Sequence, residues 1–534
     1  MAPYLPPECL HNIFINAQDD KKTLYSSLFV SRDWCASVVP ILWKKPFNLA
    51  ALTSRSSSDD LYGGYVIRTY ISCLQESDKE LLRFQYDDLL PSFDYPSFIR
   101  ELDFEELYYE ISKWISTNFI TKNIDKKISN ISDNFDQRKF TLNKIILKLI
   151  FEKCPAFDYL YLDVGRLSNN FINILIELCE QFKPICLQRL SFLDYRGVAN
   201  PYNTTKPEND ILNSLSKICK EITCMKIRSF SAPTSDSIIS LIQGQRNLQK
   251  IYLWECNLYD MSEVMNAFAS QAKNLKEVNI FHCSFEYCEP LHGLAKCQNL
   301  IKLSIRQCDH VTSALLHPIA LVIYPHIKQL ELYDFNPSLT FMNDEDIPTE
   351  QVQAIIMNCT KSIRHLITNL NHDQYFGIIE TIATNCIYLT TLELNLQREE
   401  QIPKFSPILK SCKKLKKLTI HPLGFVSNFI RVSENSIQLF VPNLSTEIIY
   451  LDIKSWILSV KSLDILLNHL GPNLKFISWG FADISPSVIS KEIWFSGIIS
   501  NYITKHSKNI KRFGAFDFYS HDGFNDGRVF LNFW

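Results

Sequence analysis

One spacing rule governs most of this chain. An apolar residue, two variable residues, a second apolar residue, one variable residue and a third apolar residue recur as "LQKIYL" from Leu248, "LKEVNI" from Leu275, "LIKLSI" from Leu300 and "IKQLEL" from Ile327. More divergent copies begin at Phe157, Leu187, Ile222, Ile363, Leu389, Leu415, Ile448, Leu474 and Ile510. Of the twelve intervals between successive starts from Phe157, seven lie within one residue of 26. The alternation at the end of each copy is that of a strand with one buried face. A unit this small cannot bury that face alone, so neighbouring units must stack on one another.

A period in this range with this apolar spacing is that of the leucine-rich repeat, in which strand and helix alternate. The expected fold class is therefore α/β: a curved leucine-rich-repeat solenoid over residues 151–534, with parallel strands inside and helices outside. With 534 residues, 46% of them apolar and 21% charged, the chain has enough apolar matter for such a core and too much for disorder. Lys and Arg number 55 against 57 Asp and Glu, a net charge of -2 that supplies no general attraction to nucleic acid or anionic membrane. The first residues lack a secretory pattern, and no apolar run approaches the roughly 18 residues that span a bilayer. A cytoplasmic or nuclear location is expected, with no nucleic-acid or membrane partner.

The repeat phase accounts for half of the sixteen cysteines. Cys154, Cys219, Cys297, Cys386 and Cys412 stand three residues before the first apolar position, and Cys256, Cys283 and Cys308 eight after it. Small buried residues suit the turns into and out of a strand, and free Cys is one. Zinc would need clustered ligands at short spacing, and the nearest approaches, Cys219/Cys224 and Cys283/Cys288, fall inside the repeat pattern. No metal and no cofactor are expected. The unit "CQNLIKLSIRQCDHVT" from Cys297 resembles the cysteine-containing leucine-rich repeats of intracellular ubiquitin-ligase adaptors.

The chain starts differently. In "LPPECLHNIFINAQDDKKTLYSSLFVSRDWCASVVPILW", residues 5–43, Leu10, Ile13, Phe14 and Ala17 share a helical face behind Pro6 and Pro7. Leu24 and Leu28 mark a second helix, and Ser31 caps a third that carries Trp34 and Val38, with Leu42 and Trp43 following Pro40. So few residues make a marginal core, which wants a partner. The segment resembles an F-box, carrying Leu5, Pro6, Glu8, Leu10, Ile13 and Phe14, then Leu28, Val30, Trp34, Leu42 and Trp43 at the family's positions. Cys9 and Ser31 depart from the pattern. The resemblance implies a small three-helix F-box over 1–48 that docks on a Skp-type adaptor, and through it on a cullin, by way of Leu5, Pro6, Leu10, Ile13, Phe14, Leu28, Trp34, Leu42 and Trp43. A helical cap over the first repeat is the alternative. Residues 49–150 read as a helical bridge with a divergent first repeat near "FIRELDFEEL" and a polar, flexible or inserted excursion, "TNFITKNIDKKISNISDNFDQRKF".

No GxSxG, GxGxxG, GxxxxGK[ST] or HExxH occurs, so catalysis has no anchor in the sequence. His365 and His421 read as solvent-facing strand residues, Asp344, Glu345 and Asp346 as an acidic loop, and "KSCKKLKKL" as a solvated face. The register of the copies aligns Trp254, Phe281, Arg306 and Tyr333 in one column on the inner face, with Tyr252 and Glu331 beside it. Aromatics and Arg dominate binding hot spots, and an extended open surface suits a protein target better than a small molecule. Packing on one another is the competing reading of the column, and the C-terminal "FDFYSHDGF" is the competing target site. The expected function is that of a non-catalytic substrate-recognition subunit of a Skp–cullin–F-box ubiquitin ligase. A scaffold without ligase activity is the alternative.

Overall fold

In the repeat strands the second and fourth residues are buried and the first, third and fifth form a second face. Thus in Lys250–Trp254 the residues Ile251 and Leu253 are inaccessible while Lys250, Tyr252 and Trp254 are half-buried. The computed structural model describes residues 5–47, 62–82, 90–120, 131–197, 208–229, 235–256, 261–333, 348–359, 361–369, 376–395, 398–421, 430–470, 473–480, 512–516 and 528–531. The chain divides into two units, Met1–Gln271 and Ala272–Trp534.

The first unit opens with three helices, α1 (Pro7–Asn16), α2 (Lys21–Ser27) and α3 (Arg32–Leu42). Leu10, Phe14, Leu24, Val38 and Leu42 form their core, with Leu28, Trp34, Ile41 and Trp43 packed against it. The Asp20 carboxylate accepts the Thr23 amide at 3.1 Å, and Ser31 Oγ accepts that of Trp34 at 3.2 Å, so α2 and α3 begin on side-chain caps. α3 runs through Pro40 to Leu42. Beyond it the Lys44 carbonyl accepts the amides of Arg100 and Glu101, both at 3.1 Å. That ties the helices to β1 (Glu101–Asp103), the first strand of a parallel set continued by β2 (Tyr159–Asp163), β3 (Phe192–Arg196), β4 (Cys224–Arg228) and β5 (Lys250–Trp254).

The polar stretch expected as an excursion belongs largely to two helices, Phe104–Ile120 and Ile131–Lys153, with 121–130 outside the described residues. The two helices bury apolar residues on either side of that stretch: Ile115, Leu142 and Ile146 are inaccessible. Charge is used too: Lys139, within the stretch, donates from Nζ to Tyr108 Oη at 2.9 Å, and Lys144 beyond it pairs with Glu177 at 2.7 Å.

The second unit continues the pattern with β6 (Glu277–Phe281), β7 (Lys302–Arg306), β8 (Gln329–Tyr333), β9 (His365–Asn369), β10 (Thr391–Asn395), β11 (Lys417–His421), β12 (Ile430–Val432), β13 (Tyr450–Leu458), β14 (Phe476–Gly480), β15 (Arg512–Phe516) and β16 (Arg528–Leu531). Neighbours are parallel and in register, β12 pairs with the far end of β13, and β16 closes the set antiparallel to β15. Helices such as Ser313–Ala320, Thr349–Asn358 and Val460–His469 return the chain between strands. This is an α/β leucine-rich-repeat fold. Each buried Leu or Ile contributes about 1.5–3 kcal/mol by leaving water. Thr368 takes the fourth place in β9, where its hydroxyl is buried without a hydrogen-bond partner.

The turn out of four of the strands repeats closely. Ser229, Glu255, His282 and Gln307 each follow a strand directly, and each is left-handed, at φ 50, 52, 54 and 49°. The amides of Ser229, His282 and Gln307 donate to the last carbonyl of the next strand, at 2.8 Å to Trp254, 3.1 Å to Arg306 and 3.2 Å to Tyr333. A cysteine follows in three cases, and its thiol reaches back: Cys256 Sγ lies 3.6 Å from the Ile227 carbonyl and Cys308 Sγ 3.8 Å from that of Ile280. Eleven of the sixteen cysteines are buried. A left-handed conformation costs an L residue roughly 1–2 kcal/mol, most for β-branched side chains and least for Gly. Gln307→Val should therefore lower the free energy of unfolding by at least about 1 kcal/mol, and Gln307→Gly should not; denaturant titration of the two variants decides it, and equal losses would refute the turn's role.

Candidate functional site

Two kinds of surface stand out, an apolar patch on the N-terminal helices and the second face of the strands. In the helices Leu10, Phe14 and Leu42 belong to the core, Leu28, Trp34 and Trp43 are half-buried, and Leu5, Pro6 and Ile13 are exposed. Trp34 meets Phe14 edge to face at 5.2 Å, and Trp43 meets Tyr95 at 4.3 Å. Outward-facing apolar side chains crowd this short stretch: Phe29 is 89% exposed, Val30 58%, Ile13 50%, Leu5 42% and Ile15 41%. Phe29 and Tyr25 also border a cleft of about 340 Å³ that runs between α3 and the segment around Phe93 and Tyr95. Solvation of so much apolar surface is unfavourable, and burial against a partner relieves it.

On the second face of the first unit, register aligns Tyr161, Asp194, Lys226 and Tyr252 in one row and Asp163, Arg196, Arg228 and Trp254 in the next. Asp194 is its hub: Arg228 donates to Oδ1 from Nη2 at 2.8 Å and from Nε at 3.1 Å, Tyr159 donates to Oδ2 at 3.0 Å, and Lys226 lies 3.8 Å away. The Lys226 ammonium sits over the Trp254 ring at 4.7 Å, and the Arg228 guanidinium over Tyr161 at 5.5 Å. Burial first, then the charge of Asp163, pushes the Tyr161 phenol up to about 12. The expected residues Tyr252 and Trp254 thus close a larger surface of aromatic and basic side chains. Tyr161, Lys226 and Arg228 were missed because the columns were read only from the most regular copies; the same register applied from Phe157 and Ile222 reaches them, while Tyr159 stands at the first strand position, outside both columns.

On the second face of the second unit, Phe281, Arg306 and Tyr333 are half-buried, and Glu331 is only 2% exposed. Glu331 is held by Lys302 and Arg306, each at 3.2 Å, and by the Ser304 hydroxyl at 2.6 Å. Burial raises its pKa, but the Ser304 bond and the two cations outweigh that and hold it below the usual range. Glu331 therefore fixes Arg306, whose guanidinium lies 5.3 Å from the Phe281 ring, rather than facing outward itself. His365 is exposed on β9. The side chain of His421, the acidic run Asp344–Asp346 and most of "FDFYSHDGF" lie outside the described residues. Among the described residues no cluster of His, Cys, Asp and Glu has the geometry of a metal site, and no helix is long and apolar enough to cross a membrane.

No protein-family model matches this sequence, and no curated protein does. Among solved structures the chain is similar to one described as the crystal structure of the Rad7 and Elc1 complex in yeast, at 13% identity and a TM-score of 0.35, over 69% of this chain and 92% of that one.

One carboxyl on the second face of the first unit is tuned by its surroundings. Asp103 caps the helix Phe104–Ile120, accepting the amides of Glu105 at 2.9 Å and Glu106 at 3.2 Å. Burial lifts its pKa to about 7 against the pull of those amides. A folded-state pKa above the unfolded value means that the folded chain binds the proton more tightly, so this group's contribution to stability is full below about pH 4 and is lost as pH rises towards about 7. Asp103→Asn keeps an acceptor and cannot titrate. Its stability relative to the parent should improve steadily from pH 4 to pH 8 in chemical denaturation; a constant difference would contradict the assignment.

Proposed function

We propose that this protein is a substrate-recognition subunit of a Skp–cullin–F-box-type ubiquitin ligase. The N-terminal helices act as the F-box and dock on a Skp-type adaptor joined to a cullin, while the repeats hold a target protein. The observation that carries the reading is the exposure of five apolar side chains, Leu5, Ile13, Ile15, Phe29 and Val30, on a helical element with little core of its own. The ordered F-box-like residues of the same segment support it. The chain's part in ubiquitin transfer is then proximity: holding target and ligase together raises the effective concentration of one for the other.

Phe29 and Val30 are exposed, so changing them should spare the fold. Replacing both with Asp should reduce adaptor binding by at least about 2 kcal/mol, roughly thirtyfold, with the melting temperature unchanged. Affinity for a purified Skp-type adaptor, measured by calorimetry, is the readout, and unaltered affinity would refute the docking surface. Recovery of adaptor without cullin from cells would favour the scaffold reading.

Target capture is assigned to the second faces of the strands. Trp254→Ala in the first unit and Arg306→Ala in the second should each weaken target recovery in proximity labelling while adaptor binding persists. Unfolding of either variant would mark its residue as packing, and normal recovery by both would move recognition elsewhere.

A further inference from the structure

Acidic residues on the second face of the second unit follow a rule with one exception. Register places Glu331, Ile367, Glu393, Thr419, Asp452 and Ser478 side by side on successive neighbouring strands from β8 to β14. Where an acid has a hydroxyl-bearing neighbour in this row, the hydroxyl closes on it: Ser304 donates to Glu331, and Ser478 donates to Asp452. Thr419 stands between two acids, Glu393 and Asp452, and its hydroxyl bonds to neither. It is 3% exposed and has no hydrogen-bond partner, an unfavourable state for a buried hydroxyl.

Charge in the row points the same way. Glu331 has two cations of its own, Lys302 and Arg306. The donors to Asp452 are neutral: the hydroxyls of Ser478 and Tyr450 and the Lys454 amide. The neighbouring ammonium of Lys417 is drawn over the Tyr450 ring at 4.6 Å, and that ring is stacked on Phe476 at 4.2 Å with 8° between planes. Burial raises the Glu393 carboxyl, and although Lys417 and Arg306 oppose this, Glu331 and Asp452 raise it further. Adjacent strands are about 4.8 Å apart, so two acids separated by one strand lie about 10 Å apart, a span that one guanidinium or ammonium with its hydration can bridge.

Resting on the reading of this face as the target-binding surface, we infer that Glu393, Thr419 and Asp452 form a subsite for a basic side chain, Arg or Lys, of the target protein. The cation meets both carboxylates, and the Thr419 hydroxyl gains the partner it lacks. Tyr450 and Phe476 wall the subsite on one side, where the methylene stem of such a side chain packs.

The test uses the full chain and fluorescent peptides of one alanine–serine frame whose central residue is Arg, Lys or citrulline, the neutral analogue of Arg. Fluorescence polarisation, titrated into the millimolar range, should show Arg and Lys peptides binding about tenfold more tightly than the citrulline peptide, and added salt should narrow the gap. Glu393→Gln with Asp452→Asn should abolish the preference. Thr419→Val, which removes an unpartnered hydroxyl, should weaken it severalfold with the melting temperature kept or raised. Equal binding of Arg and citrulline peptides, or a preference that survives the double substitution, overturns the subsite. If the double variant does not fold, Thr419→Val decides: an undiminished preference overturns the subsite, a weakened one upholds it. Adaptor binding is measured on the same preparations. Its absence beside an intact Arg preference defeats the ligase reading alone, and its presence without the preference defeats the subsite alone.

Discussion

Everything in this structure depends on burying one side of each short strand. The second and fourth strand positions, Ile251 and Leu253 in β5 or Leu303 and Ile305 in β7, are wholly removed from water. In-register parallel pairing stacks them into a continuous apolar layer within each unit. Because strand residues alternate, committing one face to the apolar core leaves the other to polar and aromatic side chains. The first, third and fifth positions therefore carry most of the polar and aromatic side chains, although several third-position residues, Asp194, Glu331 and Thr419 among them, are themselves buried.

The second face is itself structured. Asp194 gathers Arg228, Lys226 and Tyr159, and Glu331 gathers Lys302, Arg306 and Ser304. Each hub sets the direction of cationic and aromatic side chains, so a molecule binding this face would meet groups already ordered. A hub carboxylate on such a face matters through the side chains it aims.

The strands were legible from sequence because their signal is local: Leu300, Leu303 and Ile305 announce a buried face by spacing alone. Turn chemistry was not. Nothing in the identity of Ser229, Glu255, His282 or Gln307 signals a left-handed conformation, since no Gly or Asn stands there; the requirement comes from the carbonyl of the next strand. Gln245 and Gln271 were missed likewise. Each is buried, Gln245 in a loop and Gln271 at the end of a short helix, and satisfies amides and carbonyls of its own and the preceding repeat, among them Ile222 and Leu248. Such contacts bridge residues more than twenty positions apart and leave no mark in a single window. Within the helical bridge, residues 131–140 read as part of an excursion because their polarity outweighed periodicity, and they begin the helix Ile131–Lys153. On the N-terminal helices, spacing identified Leu10 and Phe14 as apolar anchors, but only packing separates them, facing inward, from Ile13, facing out.

The Lys44 carbonyl links α3 to the strand set with two short backbone bonds, and Lys44 Nζ adds ion pairs to Glu101 at 3.4 Å and Asp158 at 3.1 Å. A carbonyl shared by two amides leaves little room for a hinge, and rings of Trp43 and Tyr95 brace the same junction. The first unit is therefore a lever and not a leash. A molecule held on β1–β5 would sit at a set bearing from whatever grips the three helices, so reach and orientation are written into the backbone, and lengthening the chain just after Lys44 would change which sites on a bound cargo come within range.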